Sequence, residues 1–254
     1  MKISYQALTD VGRKRKGNED SVFINPEQRL FVVADGMGGH AAGEVASKLA
    51  VDAINEFVCL TSGDEEITWP YGLDQTMSYD GNRLKTAIRY ANRKVLEATR
   101  ERSEYEGMAT TVAAVLIDQD SANVAHVGDS RVYLWGDGVL TQLTADHSWV
   151  NEQIQSGVIS ADQARGHPLR NVVTRALGGR LDLAVDMQVR KMKLGDVLLL
   201  CSDGLTTMVP DDEIAAVLAR TQGDVEETAK ELVAAANARG GEDNITVLLL
   251  RIEK

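Results

Sequence analysis

The chain has only two cysteines, Cys59 and Cys201, far apart and in no CxxC pair. This excludes a disulfide framework and a thiolate zinc site, and two reduced, buried thiols are the expectation. No run of about 18 apolar residues occurs, and the opening MKISYQAL contains no apolar signal core. Neither a membrane span nor an export signal is therefore expected, and the protein is assigned to the cytoplasm. A basic surplus is also missing. The net charge of -11 opposes binding to nucleic acid and gives no pull toward anionic membranes. Internal repeats and low-complexity tracts are absent too. With 44% hydrophobic and 26% charged residues and four prolines, the composition is that of a globular protein. Its 254 residues are enough to bury a full core, so one compact domain over 1–254 is expected, as a monomer. Aspartates clustered around a cation would themselves contribute to the acidic surplus.

What is present reads first as sheet. Short β-branched and apolar segments run from Ile3 to Leu8, Ser21 to Asn25 and Leu30 to Ala34, separated by polar turns. Apolar spacings of three and four then predict helices from Ala41 to Val58 and from Arg83 to Arg102. Between them, 61–82 reads as a surface excursion. Four strand-like runs follow, Met108 to Ile117, Ala122 to Val127, Arg131 to Trp135 and Val139 to Leu143, with a tight turn at Gly136-Asp137-Gly138. A β-meander is expected there. Residues 148–179 break the rhythm and read as a flap-like insertion. Strands resume from Leu183 to Arg190 and Asp196 to Cys201, then helices from Asp211 to Ala219 and Val225 to Arg239, then a strand from Asn244 to Ile252. Hairpins outnumber strand-helix-strand units, so largely antiparallel sheets with helices packed outside are predicted, an α+β class.

Acidic residues sit beside glycine at the ends of several apolar runs: Val33-Ala34-Asp35-Gly36, Val127-Gly128-Asp129-Ser130, Cys201-Ser202-Asp203-Gly204 and Gly241-Glu242-Asp243-Asn244. Hard cations such as Mg²⁺ and Mn²⁺ need oxygen ligands from several directions, and glycine lets backbone approach closely. Any one Asp-Gly pair is ordinary turn chemistry; the repetition is what points to a metal centre. Arg15, ahead of Gly17-Asn18-Glu19-Asp20, offers a guanidinium fork suited to a phosphate dianion if the cluster serves phosphoryl chemistry.

Seven ordered blocks carry a resemblance: DVGRKRKGNEDS from Asp10, VVADGMGGHAAGE from Val32, GMATT from Gly107, HVGDSRV from His126, LTADHS from Leu143, LCSDGL from Leu200 and GGEDNITV from Gly240. The chain resembles the bacterial metal-dependent serine/threonine protein phosphatases of the protein phosphatase 2C-like kind over nearly its whole length. The resemblance implies a central sandwich of two antiparallel sheets flanked by helix pairs, with Mn²⁺ or Mg²⁺ in a cleft at one end. By the same resemblance, Asp35 bridges two ions and the Gly36 carbonyl completes one shell. Asp203 and Asp243 hold the first ion, Glu19 with Asp20 orients waters at the second, and Asp129 shares a third with Asp203. Asp146 and Asn244 match too, as turn caps or as supports of the ligands.

The implied reaction is in-line attack on the phosphorus of phosphoserine or phosphothreonine by a metal-activated water, with Arg15 stabilising the equatorial oxygens. Substrates would be phosphoproteins and the counterpart a cellular serine/threonine kinase. Better-known eukaryotic members carry histidine directly after the Asp-Gly pair; here Met37 follows and His40 lies three residues on, either as general acid or as cap of the helix starting near Ala41. His126, His147 and His167 are assigned no chemistry. A catalytically silent scaffold is argued against by the intact aspartates, whereas activity on small phosphoesters or as a partner-switching regulator stays open.

Overall fold

A computed structural model describes residues 2–38, 42–63 and 69–253. The chain opens with β1 (Lys2–Asp10), β2 (Asp20–Asn25) and β3 (Leu30–Met37), followed by helices α1 (Ala42–Leu60) and α2 (Tyr79–Glu101). After a single 3-10 turn come β4 (Ala109–Thr110), β5 (Val112–Asp118), β6 (Ser121–Val127), β7 (Arg131–Gly136) and β8 (Val139–Gln142). Two short helices, α3 (Trp149–Gln155) and α4 (Ala161–Arg165), lie in the 148–179 segment. Strands β9 (Asp186–Lys191) and β10 (Val197–Cys201) lead to α5 (Asp203–Thr206), α6 (Asp211–Arg220), α7 (Val225–Ala238) and the closing β11 (Ile245–Glu253).

The strands form two antiparallel sheets, one ordered β1-β11-β10-β7-β8 and the other β2-β3-β5-β6-β9 with β4 added beside β3. Alternation along each strand sorts side chains into three cores. Phe31 and Val33 of β3 meet Leu198, Leu200, Leu248 and Leu250 between the sheets. Val32 and Ala34, one residue out of phase, pack outward on Ala46, Ile54, Leu84 and Ile88 of α1 and α2. On the other side Leu199, Cys201, Val247 and Leu249 pack on Leu218, Leu232 and Ala236 of α6 and α7. Covering both faces of both sheets explains why VLLLC in β10 is apolar without interruption. The result is the expected helix-sheet-sheet-helix order of layers.

Caps mark the helix starts: Ser78 Oγ accepts from Gly81 N–H at α2, and Asp224 does so from Glu227 N–H at α7. The β7–β8 hairpin turns at Asp137 and Gly138, both at positive φ (52° and 77°), as a two-residue primed turn requires.

Three expectations need correction. The mid-chain meander is two separate hairpins, because β5–β6 lies in one sheet and β7–β8 in the other; the chain crosses between sheets at Gly128, whose φ of 106° is closed to most other residues. The Met108 to Ile117 run is interrupted at Thr111, which still donates its N–H to the Asp35 carbonyl. Cys201 is buried, but Cys59 is exposed, since helical periodicity turns it away from the α1 stripe that meets the sheet.

Candidate metal centre

Strand ends at one rim of the sandwich converge on an acidic cleft. Asp35 sits near the end of β3 and is paired in register with Asp20 at the start of β2. Asp129 follows β6, Asp203 follows β10, and Asp243 precedes β11. Since neighbours are antiparallel, the end of one strand lies beside the start of the next, so residues distant in sequence meet here. A cavity of about 280 Å³ is lined by Arg15, Glu19, Asp35, Gly36, Asp129, Asp203 and Asp243. Asp20 is set behind that lining.

The backbone is drawn tightly around the cleft. A Cβ on Gly36 would lie 2.0 Å from the Gly43 carbonyl, and one on Gly204 would lie 1.9 Å from that of Asn244; only glycine fits either place. Asp35 is fixed from three sides: its N–H donates to Thr111 Oγ1 (3.0 Å), and its carbonyl accepts from Thr111 N–H (2.9 Å) and Thr110 Oγ1 (2.9 Å). Asn244 laces the rim, accepting from Glu19 N–H (2.8 Å) and donating to the Val11 and Gly17 carbonyls (2.9 Å each). That answers its open role: it is a support.

The electrostatics are those of a cation site. Burial, followed by mutual repulsion, pushes the Asp129 carboxyl up to about 8 and Asp203 to about 6. Asp20 is pushed to about 7 by burial against the opposing hydrogen bond from Ser202 Oγ (2.7 Å). Burial, then repulsion by Asp20, Asp203, Asp129 and Asp243, holds Asp35 well above its ordinary value, and burial raises Glu19 despite nearby Arg15. Asp20 Oδ1 and Asp203 Oδ1 are buried without any hydrogen-bond partner. Such orphaned oxygens are costly unless a cation or donor meets them, so this oxygen-rich donor set fits hard divalent ions. At the mouth, half-exposed Arg15 donates to Asp243 Oδ2 at 2.7 Å and stands 3.8 Å from Glu19 Oε2.

Residues 13–246 match the family described as Protein phosphatase 2C. The chain belongs to that family. It is 42% identical over 249 residues to the serine/threonine phosphatase stp of Listeria monocytogenes, covering 95% of this chain and 93% of the relative. A crystal structure of the Mycobacterium tuberculosis serine/threonine phosphatase PstP/Ppp superposes with a TM-score of 0.86 at 36% identity, covering 99% of each chain. The PstP catalytic domain in complex with two manganese ions gives 0.83 at 35% identity, again with 99% of each chain covered.

Within this protein phosphatase 2C domain, Arg15, Glu19, Asp35, Gly36, Asp129, Asp203 and Asp243 share one cleft, Asp20 lies just behind, and His40 falls outside the described residues. Of the lining residues not singled out in the sequence, Met37, Gly38 and Thr111 stand within the motif blocks, whereas Asn171 and Val173 come from the 148–179 segment. The only signal for Asn171 and Val173 was the break in strand rhythm that marked 148–179 as a flap-like insertion. Asp146 receives Arg131, two residues beyond Asp129, in a two-pronged ion pair at 2.7–3.0 Å.

A second acidic and imidazole group, His126, His147 and Asp186, has ligand atoms within 4.8 Å of one another. Its two rings are stacked, 4.6 Å between centroids and 17° from parallel. An imidazole lone pair lies in the ring plane, and near-parallel stacked planes do not converge on one ion. This group is therefore not arranged as a metal site.

Proposed function

We propose that the acidic cleft is where this metal-dependent protein serine/threonine phosphatase holds two divalent ions, Mn²⁺ or Mg²⁺. Asp35 would be shared between them with the Gly36 carbonyl on one shell, Asp203 and Asp243 would hold the first, and Glu19 would serve the second. Asp20, behind the lining, suits orientation of water better than direct ligation. Asp129 with Asp203 would take a third ion. The observation that carries this reading is the pair of buried, unpartnered oxygens on Asp20 and Asp203 facing a cluster of carboxylates.

The protein is a phosphoric monoester hydrolase that acts on phosphoproteins. When bound, divalent ions neutralise the carboxylates and bring the ionisation of a water close to neutral pH. Arg15 stands at the mouth, where its fork can leave Asp243 for a phosphoryl group and stabilise charge on the equatorial oxygens. Thr110, Thr111 and Asn244 hold the carboxylate-bearing backbone in place beforehand. His40 remains our candidate proton donor to the departing serine or threonine oxygen.

Among the described residues no helix is long and apolar enough to cross a membrane. We read the chain as one domain whose 148–179 flap borders the substrate, supported by Asn171 and Val173 in the lining. We also read it as a cytoplasmic monomer opposing a cellular serine/threonine kinase. Turnover of phosphothreonine, phosphotyrosine and small aryl phosphate compounds with Mn²⁺ tests the substrate class. Efficient hydrolysis of the phosphothreonine peptide supports the reading; preference for the small ester contradicts it.

A further inference from the structure

The turn that carries Asp129 is held by a residue to which the sequence assigned no chemistry. His147 clamps Gly128 twice. Its backbone N–H donates to the Gly128 carbonyl at 2.9 Å, and its ring Nδ1 accepts from the Gly128 N–H at 3.0 Å. No side chain fits at this turn, because a Cβ on Gly128 would lie 2.6 Å from Thr111 Cβ. The acceptor role of Nδ1 dictates the rest of the ring: a neutral imidazole carries one proton, so it must sit on Nε2. Nε2 faces Asp186 Oδ2 at 3.2 Å, the acceptor that this tautomer needs.

The same residue reaches the 148–179 segment. The His147 carbonyl accepts from Thr174 N–H at 2.8 Å, and next to it Ser148 bridges to Val173, a cleft-lining residue. Arg175 donates to the other oxygen of the same carboxylate, Asp186 Oδ1, at 2.6 Å. His126 stacks on one face of the ring and donates its own Nε2–H to the Ala145 carbonyl (2.8 Å).

We propose that His147, locked by Asp186 as its Nε2–H tautomer, is a positioning residue that fixes the Gly128–Asp129 turn, and with it the third-ion ligand, relative to the root of the flap. The proposal rests on the reading of Asp129 as a metal ligand. Partners that orient a ligand from outside the coordination shell typically change metal affinity 10- to 100-fold when removed.

Two substitutions separate the two nitrogens. In His147→Asn, the side-chain amide oxygen takes the place of Nδ1 and can accept from Gly128 N–H, while contact with Asp186 is lost. In His147→Gln, the longer amide reaches toward Asp186 and no acceptor is left for Gly128. Mn²⁺ titration of the full chain by calorimetry is expected to show the binding step that Asp129→Asn removes nearly unchanged in His147→Asn and weakened about 10-fold or more in His147→Gln. Equal effects of the two, no effect of either, or the reverse order overturns the proposal. If either variant fails to fold, ring ¹⁵N spectra of the wild type decide: a proton on Nε2 with bare Nδ1 supports it, and a proton on Nδ1 overturns it. Asp129→Asn isolates the underlying reading, since wild-type Mn²⁺ binding in that variant removes Asp129 from the ligand set, whatever His147 does.

Discussion

Removing metal should make the protein less stable as the pH rises from 5 to 8, opposite to what paired surface carboxylates produce. Folded Asp20 holds its proton up to about 7, whereas an ordinary aspartate loses it near 3.8. Between those values the folded state carries a proton that the unfolded chain has released. Unfolding therefore releases protons, and stability falls with increasing pH until the folded group has also ionised. At about 1.4 kcal/mol per pH unit, the part of that interval from pH 5 to about 7 is worth roughly 3 kcal/mol. Asp129, up to about 8, and Asp203, up to about 6, act in the same direction, but neighbouring carboxylates titrate together and their effects do not add. A loss of about 3 kcal/mol corresponds to roughly 6 to 12 °C in Tm for a domain of this length. Thermal unfolding in EDTA at pH 5, 6, 7 and 8 should show that decline. Excess Mn²⁺ should abolish it at pH 8, since an ion at 100 times its Kd stabilises by about 2.7 kcal/mol. Asp20→Asn, which removes one of the trapped protons, should flatten the EDTA curve. A Tm that is level or rises from pH 5 to 8 in EDTA would refute the reasoning.

Arg15→Ala should lower kcat/KM for a phosphopeptide by about 10-fold, the lower range for a charge-assisted hydrogen bond because the side chain is half exposed, with Mn²⁺ affinity kept; Arg15→Lys should recover only part, since an ammonium lacks the fork. Gly204→Ala should cost about 3 kcal/mol, read as a fall in Tm, because the added methyl meets the rigid backbone of Asn244 at 1.9 Å. Gly17→Ala, with nothing within 4 Å, should stay within about 0.5 kcal/mol and serves as the control.

Much of the architecture was legible because alternation and helical spacing report burial directly. Strands β2, β3 and β11 and helices α6 and α7 fall within a few residues of their sequence-derived limits. The repeated Asp-Gly ends of apolar runs were legible for a related reason: a carboxylate at the end of a buried strand needs a partner. What periodicity could not carry was which sheet a strand joins. The β6 to β7 connection reads as one more hairpin, and only the backbone of Gly128 reveals the crossing between sheets. Asn171 and Val173 were hidden because an irregular segment has no period, so the way it folds back onto the cleft leaves no pattern. His147 was hidden for a different reason. Its significance lies in which atom faces Gly128 and which faces Asp186, and residue type alone does not say.

The central claim is that phosphoester hydrolysis depends on divalent ions held by this carboxylate cluster. Its most direct test is hydrolysis of a phosphothreonine peptide by wild type with Mn²⁺, by wild type with EDTA, and by Asp203→Asn with Mn²⁺. Turnover that requires Mn²⁺ and falls by on the order of 100-fold or more in the variant is predicted, since a ligand lost should cost at least as much as an outer partner lost. Undiminished turnover in EDTA, or wild-type turnover by Asp203→Asn, would contradict the account.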